Sequence, residues 1–281
     1  MKSTIDFTTE MGEGFALPPF GLSLDFWRGM EANGERIHPR QFMKRFDDEL
    51  MPHVSSASLA CGVHSGDPAV LCSVVGQLAQ RGAAIGAHPS YPDTFRFGQK
   101  RVAMTKAELE ASILFQLGAL GAIAQGAGQR LQHVWCHGAL GFDVSFEPEI
   151  CDVMLGAMRK YDPALTLVMM VAGAAVPHAR KNPDIRIAEL AFLDRGYGAD
   201  GRIVPRNHPE ALLKSGAAVE KRVEDIVRDG VVRAVDGTPI PANVDMILVH
   251  CDTPGAGDMA QGVVRALDRL GVAIRPLARS K

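Results

Sequence analysis

Short apolar runs alternate with stretches of helical periodicity along most of the chain. The apolar runs predict the following strands: residues 5–11, 54–63, 83–88, 165–171 and 185–192, two strands ending at His137 and His250, and a short last one at 272–276. The helical periodicity predicts the following helices: residues 40–50, a helix starting at Asp67, one behind Thr105, 210–229 and 256–270. This alternation predicts one α/β domain over residues 1–281 with a mostly parallel sheet.

The pattern alone does not separate a closed barrel from an open, doubly wound sheet. The first strand is not followed by a GxGxxG, and the sequence has no P-loop, which argues against the usual nucleotide-binding sheets. Residues 15–37, which include Pro18-Pro19 and Asn33-Gly34, indicate an irregular surface excursion before the first long helix.

Histidines follow four of the predicted strands at the point where each strand ends. They are His64, His88, His137 and His250. Parallel strands of a barrel end at one mouth, where barrel enzymes place their chemistry, so we expect these imidazoles to gather there. An imidazole transfers protons near neutral pH and binds metal ions. The pattern therefore predicts general acid–base chemistry or a metal-assisted attack on a small polar substrate.

Carboxylates accompany these histidines. Glu10 and Glu13 end the first strand, and the glycines on both sides of Glu13 let the backbone approach a ligand. A divalent metal held by Glu10, Glu13, His64 and His137 is one hypothesis for this end of the sheet. Asp67 and Asp252 are further catalytic candidates, although either one is equally typical of a helix N-cap.

Basic residues on two loops are candidates for binding an anionic group of the substrate. Lys100 and Arg101 follow the third strand, and Asp194, Arg195 and Arg206 follow the sixth. An arginine binds a carboxylate or phosphate through two parallel hydrogen bonds. The alternative is that the first loop carries solvated charges and that Asp194 and Arg195 form an ordinary surface pair.

Composition narrows the class of protein. Of 281 residues 47% are hydrophobic and 22% are charged, and the net charge is −2. This balance gives no reason to expect nucleic acid or an anionic membrane surface as a partner. The apolar runs are too short to span a bilayer, and the first residues lack a signal peptide's apolar core. Five cysteines without CxxC spacing predict reduced thiols in a cytoplasmic protein.

Seven motifs, in this order, resemble the LamB/YcsF family, the A subunit of bacterial ATP-dependent 5-oxoprolinase. The motifs are IDFTTEMGEG, SASLACGVHSGD, GAHPSYPD, FGQKR, WCHGALGF, DRGYGADGRIVPR and VHCDTPG. The resemblance implies a distorted parallel β/α barrel of the glycoside hydrolase/deacetylase type. It also implies ATP as a cofactor and two companion subunits, with which the chain opens the lactam of 5-oxoproline to glutamate.

The resemblance carries a definite set of site residues. Those that match the family pattern are Glu13, His64, Asp67, His88, His137, Asp194, Arg195, Arg206, His250 and Asp252. Other positions depart from it: Thr8 and Glu10 replace Asn and Asp, Ser58 replaces Asn, Trp135-Cys136 replaces Lys-Pro, Gly141-Phe142 replaces Tyr-Asn, and Cys251 replaces Gly. These departures keep two alternatives open, a metal-dependent deacylase of the same fold and a non-catalytic small-molecule-binding subunit.

Overall fold

The computed structural model describes residues 2–13 and 39–278. The surface excursion predicted at residues 15–37 lies outside them. The strands are β1 (Thr4–Met11), β2 (Ser56–Ala60), β3 (Ala84–His88), β4 (Leu131–Val134), β5 (Thr166–Met170), β6 (Arg186–Phe192), β7 (Val231–Arg233), β8 (Pro239–Pro241), β9 (Met246–Leu248) and β10 (Ala273–Ile274). The helices are α1 (Pro39–Leu50), α2 (Pro68–Arg81), α3 (Lys106–Gly126), α4 (Gly138–Phe146), α5 (Pro148–Tyr161), α6 (Val176–Ala179), α7 (Gly216–Glu224) and α8 (Ala256–Leu270).

Seven parallel strands close into a barrel. The sheet runs β1-β2-β3-β4-β5-β6-β9, and β1 pairs with β9 as well as with β2, so that the two edges meet. The short strand β10 adds to β1 outside the ring. The predicted β/α barrel is therefore confirmed, and the pairing of β1 with β9 excludes the open sheet.

The strands are buried on both faces, as expected for a parallel sheet covered by helices. Leu59, Ile85, Leu167 and Ile247 are at most 1% exposed. Polar side chains also lie inside the barrel: His133 hydrogen-bonds Ser58 Oγ through Nε2 at 2.9 Å. Because the interior is filled with packed side chains, the strands hold their carboxyl ends in fixed positions around the mouth.

The longest described helix, α3, packs on the outside of the barrel. It begins with the predicted capping box, in which Thr105 and Glu108 bond each other's backbone N–H. By length and composition it is the one described helix that could cross a membrane. Its buried residues Leu109, Ile113 and Leu117 belong to the core, and the core helix of a barrel passes the same test.

Several predicted boundaries are wrong. Strand β2 ends four residues before His64, β4 ends three residues before His137, and β9 ends two residues before His250. These histidines therefore lie on loops. The helix predicted at 210–229 starts only at Gly216, where Ser215 caps it, and it ends in a π-helical turn over Asp225–Asp229. The β7–β8 hairpin was not predicted, because each of its strands has only three residues.

All five cysteines lie within the described residues, and none forms a disulfide. Cys61, Cys136, Cys151 and Cys251 are buried. Burial raises the pKa of the Cys61 thiol to about 12, so it stays protonated and packs like a small apolar side chain.

Candidate active site

A cavity of about 700 Å³ opens at the carboxyl ends of the barrel strands. Its walls combine aromatic and aliphatic side chains with a few ionisable groups, the usual composition of a small-molecule site. The ionisable groups are Glu10, Glu13, Arg96, His137, Arg195, Arg206, His250 and Asp252. The larger apolar groups are Phe46, Phe97, Trp135, Phe142, Met170, Phe192 and Ile203.

Three histidines and one glutamate meet beneath the cavity. Glu13 Oε1 lies 3.4 Å from His64 Nε2 and 3.6 Å from His137 Nδ1, and His88 Nε2 lies 3.0 Å from His137 Nδ1. All four residues are buried, and one ligand atom from each lies within 4.8 Å of the others. These residues, which we call the mouth cluster, form a group that could hold a metal ion. The convergence predicted for three of the four histidines is therefore found.

Each mouth-cluster ring is held from behind by an oxygen. The carbonyl of Trp135 accepts from His88 Nδ1 at 2.6 Å, and the carbonyl of Phe97 accepts from His137 Nε2 at 2.8 Å. His64 Nδ1 lies 2.9 Å from Ser90 Oγ. The Ser90 hydroxyl donates to the carbonyl of Tyr91, so its oxygen accepts from His64. These partners fix the orientation and the tautomer of every ring.

Phe97 closes the cluster from the side. Its ring packs edge-on against His64 and His137, with centroid separations of 5.4 and 5.0 Å. Its backbone adopts φ 54°, in the left-handed region that bulky residues rarely occupy, and Gly98 follows with φ 64°. A strained residue beside a buried polar cluster is typical of a functional site.

Glu10, near the carboxyl end of β1, forms a second carboxylate site. Its Oε1 accepts from Trp135 Nε1 at 3.1 Å and lies 3.2 Å from His88 Nε2 and 3.9 Å from His250 Nε2. Burial opposes ionisation, but His88 and His250 together lower the pKa of Glu10 well below its usual value. Burial and the charge of Glu10 raise the pKa of Glu13 well above its usual value. The environment thus shifts the pKa values of the two carboxylates in opposite directions, as in acid–base pairs.

His250 is backed by a buried aspartate. Its Nδ1 lies 2.9 Å from Asp194 Oδ1, which leaves Nε2 facing the cavity and Glu10. Thr253 Oγ1 also donates to Asp194, at 2.6 Å. Burial disfavours the charge, but His250 and Arg195 lower the pKa of Asp194 below its usual value. An ionised aspartate behind a histidine orients the ring and stabilises its protonated form.

Arg195 presents half of its guanidinium to the cavity. Its Nη1 donates to Asp194 at 2.7 Å and to Thr253 at 2.8 Å. Its Nη2 is buried and makes no hydrogen bond within the described part of the chain; Asp252 Oδ1 lies 3.7 Å away. Arg206 lines the same cavity and is exposed. A buried donor without a partner is costly, which indicates that a ligand oxygen completes Nη2.

Comparison with known proteins agrees with the motifs. The model of the LamB/YcsF family matches residues 33–281. The chain belongs to this family. A protein of Chloroflexus aggregans, named as the A subunit of 5-oxoprolinase, is 42% identical over 229 residues, which cover 82% of this chain and 90% of that protein. Its namesake from Pyrococcus furiosus is 36% identical, and the match covers 97% of both chains.

The solved structure of a lactam utilization protein from Thermus thermophilus has the same fold as this LamB/YcsF chain. Its TM-score is 0.80 at 30% sequence identity, and the match covers 98% of this chain and all of that one. Relatives with these names support a role in 5-oxoproline metabolism and in an enzyme of several subunits.

Three residues predicted for the site lie away from the cavity of this LamB/YcsF chain. Asp67 caps α2, where its Oδ1 accepts from Ala69 N at 2.9 Å. Arg101 is half-exposed and pairs with Asp143 at 2.7 Å and with Glu147 at 2.5 Å. Lys100 is exposed and does not line the cavity. We therefore leave these three residues out of the proposed chemistry, since helix capping and surface pairing account for the first two.

The structure adds residues that the sequence did not single out for the site. Trp135 comes from an apolar stretch, and Phe97 opens the FGQKR motif, whose basic residues drew the attention; for both aromatic side chains packing is the ordinary expectation. Ser90 stands inside the GAHPSYPD motif, so its position was a signal for its role behind His64. Thr253 is a further addition: it is 59 positions from Asp194, a residue that the sequence did predict for the site, and only the fold brings the two together at 2.6 Å.

Proposed function

We propose that this chain is the lactam-handling subunit of a 5-oxoprolinase-type hydrolase, which opens 5-oxoproline or a related cyclic amide. The observation that carries the proposal is the cavity at the barrel mouth. It combines a buried arginine donor without a partner among the described residues, a histidine backed by an aspartate, and two carboxylates whose pKa values are shifted in opposite directions. The names of the family relatives give the substrate class.

Arg195 would hold the substrate carboxylate. Its Nη2 needs an acceptor, and its Nη1 is fixed by Asp194 and Thr253, so the guanidinium is already oriented before the substrate arrives. Arg206 would add a second positive charge from the exposed side of the cavity. The apolar walls, which include Trp135 and Phe192, would contact the ring of the lactam and keep water away from the amide.

His250 would move protons during ring opening. As a general base it would take a proton from the attacking water, and it would then return that proton to the ring nitrogen as the C–N bond breaks. Asp194 would hold the ring and stabilise the imidazolium between these two steps. Glu10, kept ionised 3.9 Å from His250 Nε2, would stabilise the same positive charge.

ATP and two companion subunits belong to the proposal through the family resemblance. Phosphorylation of the amide oxygen by ATP would make the carbonyl carbon easier for water to attack. Cleavage of the C–N bond would then leave an acyl phosphate, and a second water molecule would hydrolyse it to the free carboxylate and inorganic phosphate. We expect the companion subunits to supply the nucleotide site or to complete it, because the sequence contains no P-loop.

The test is glutamate release from 5-oxoproline by the chain assembled with its two companions. We expect release only when the chain, the companions and ATP are all present, with hydrolysis of ATP linked to ring opening. Assembly of the complex without ATP-dependent glutamate release would overturn the proposal.

The mouth cluster favours a second candidate function, a metal-dependent amidohydrolase of the same fold. Four potential ligands stand beside the cavity, and a bound divalent ion activates water without ATP. Hydrolysis of a cyclic amide by the isolated chain, dependent on metal and independent of ATP, would favour this second function. Loss of activity on removal of ATP would favour the first.

A further inference from the structure

The four mouth-cluster residues direct lone pairs at one another. Carbonyl oxygens only accept hydrogen bonds, so the bonds to Trp135 and Phe97 place the ring protons on His88 Nδ1 and His137 Nε2. The amide nitrogen of Gln99 also lies near His137 Nε2, but at 3.2 Å it is farther away than the Phe97 carbonyl at 2.8 Å. The neutral rings then carry bare lone pairs on His88 Nε2 and His137 Nδ1, although these two nitrogens lie only 3.0 Å apart and Glu10 Oε1, another acceptor, lies 3.2 Å from His88 Nε2. Two acceptors at this distance repel each other unless a cation lies between them.

His64 and Glu13 also direct lone pairs into the cluster. The Ser90 hydroxyl oxygen accepts a hydrogen bond from the N–H at His64 Nδ1, so the other ring nitrogen, His64 Nε2, carries a lone pair. His64 Nε2 and Glu13 Oε1 are both buried and lack a hydrogen-bond partner among the described residues. Buried polar atoms are rarely left in this state, and each one needs an explanation. A single positive occupant would satisfy all four atoms at once.

The separations suit a tetrahedral metal site. Ligands about 2.0 to 2.2 Å from a tetrahedral ion lie about 3.3 to 3.6 Å from one another. Three of the six separations are 3.0, 3.4 and 3.6 Å, and all six are within 4.8 Å. Three imidazoles with one carboxylate are ligands that suit Zn²⁺ and its neighbours among the transition metals rather than Mg²⁺ or Ca²⁺, which prefer oxygen.

We propose that Glu13, His64, His88 and His137 bind one divalent transition-metal ion. This set differs from the one expected from the sequence, because His88 takes the place of Glu10. Glu10 is not part of the group whose ligand atoms all lie within 4.8 Å of one another, and its Oε1 accepts from the indole N–H of Trp135. The ion would lie under the cavity floor, with all four tetrahedral positions taken by this chain, as in a closed metal site. Metal binding stands independently of the proposed 5-oxoprolinase activity.

A shared proton is the rival occupant. A proton between His88 and His137 would also remove the repulsion between their lone pairs, but it would leave His64 Nε2 without a partner among the described residues. The two occupants make different predictions, since only the metal requires all four residues and only the metal is detected by elemental analysis.

The experiment uses the full chain, stripped with a chelator and then titrated with Zn²⁺ in a calorimeter. We expect one Zn²⁺ per chain and no comparable binding of Mg²⁺. Co²⁺ in place of Zn²⁺ should give the intense visible absorption of a tetrahedral site. A stripped protein that takes up no stoichiometric Zn²⁺, and whose Co²⁺ spectrum is that of the free ion, would overturn the proposal.

Variants separate a metal site from a merely stable core. We expect His64→Ala and His137→Ala each to weaken Zn²⁺ binding by more than about 100-fold, which exceeds the usual effect of losing a group behind a ligand. His250→Gln is the matched control: it changes a cavity histidine outside the set and should retain one Zn²⁺. Equal affinity in the wild type and both alanine variants would contradict the assignment.

Ser90→Ala tests the tautomer argument with less risk to folding. The serine touches His64 but would not touch the ion, and its loss should weaken Zn²⁺ binding by about 10- to 100-fold. Unchanged affinity in a folded Ser90→Ala protein would remove the proposed role of this hydroxyl. Stoichiometric Zn²⁺ in a complex that fails to release glutamate would support the metal site and contradict the proposed function. Glutamate release by a complex that binds no Zn²⁺ would support the proposed function and contradict the metal site.

Discussion

Asp6 and Glu13 are buried carboxylates near opposite ends of β1, and their surroundings differ. At the N-terminal end of the barrel Asp6 accepts hydrogen bonds from the hydroxyls of Ser55 and Ser56 and from the backbone N–H of Leu277. At the C-terminal end Glu13 Oε1 has no hydrogen-bond partner among the described residues. The first carboxylate ties chain segments together, whereas the second is available to a ligand.

His133 and His137 offer the same comparison for two histidines. His133 lies in β4, and His137 lies in the loop that follows this strand. Burial lowers the pKa of both rings to about 3, so neither is charged at neutral pH. Both nitrogens of His133 contact side chains, Ser58 Oγ at 2.9 Å and Gln132 Oε1 at 3.2 Å. His137 Nδ1 instead faces His88 and Glu13. Burial and pKa therefore do not distinguish a functional histidine here, but the partners of its second nitrogen do.

The largest effect is expected for His250→Gln. Glutamine keeps a polar group near Asp194 but cannot transfer a proton at neutral pH, and general acid–base catalysis contributes about 10²- to 10⁴-fold. We expect kcat for ring opening to fall by that factor in the assembled complex, with little change in KM. A kcat within about threefold of wild type would exclude His250 as the proton carrier.

Asp6 gives a pH-dependent effect at the other end of the barrel. Burial raises its pKa from 3.8 to about 6, against the hydrogen bonds from the serines. Because the folded protein holds this proton more tightly, its stabilising contribution is complete below the unfolded pKa and is lost as the pH rises through about 6.

The magnitude follows from the two pKa values. Between about pH 4 and about pH 7 the free energy of unfolding should fall by about 2 to 3 kcal/mol more in the wild type than in Asp6→Asn, which does not titrate. Urea unfolding of both proteins at the two pH values measures the difference. Parallel pH dependence in wild type and variant would contradict this account of Asp6.

His133→Ala should affect stability without affecting chemistry. The change leaves Ser58 and Gln132 short of a partner in the barrel interior, which costs about 1 to 3 kcal/mol. We expect a lower free energy of unfolding and unchanged kcat/KM per folded molecule. A loss of turnover comparable to that of a mouth histidine would break the comparison between the two rings.

Arg101→Ala should have the smallest effect. The side chain is half-exposed and pairs with Asp143 and Glu147 on the surface, and such pairs contribute less than about 1 kcal/mol. KM for 5-oxoproline should stay unchanged, because the carboxylate is assigned to Arg195. A marked rise in KM would return Arg101 to the substrate-binding set that the sequence predicted.

The strand-end histidines could be predicted because parallel topology alone brings strand ends to one mouth. The same rule located Glu13 and the loop that carries Arg195. It could not separate Asp67 from the site, because one aspartate before proline serves equally as a ligand and as a helix cap.

The sequence could not show which way the loop side chains turn, or which residues contact the site residues from behind. Arg101 turns away from the cavity toward Asp143, and nothing in the local pattern encodes that turn. Asp194 was expected to bind substrate, but the fold places it behind His250 instead. Phe97 adopts its left-handed backbone without the glycine that usually marks such a position.

The mouth groups that lack partners within the described chain are assigned to the substrate, and Arg195 Nη2 is the one assigned to its carboxylate. The decisive measurement is kcat/KM for glutamate release from 5-oxoproline by the assembled complex, with Arg195→Gln compared to Arg101→Ala. We expect Arg195→Gln to lose about 10- to 100-fold in kcat/KM, the effect of losing a hydrogen bond to a charged group, while Arg101→Ala keeps the wild-type value. Unchanged kcat/KM in a folded and assembled Arg195→Gln complex would show that the buried guanidinium does not bind the substrate.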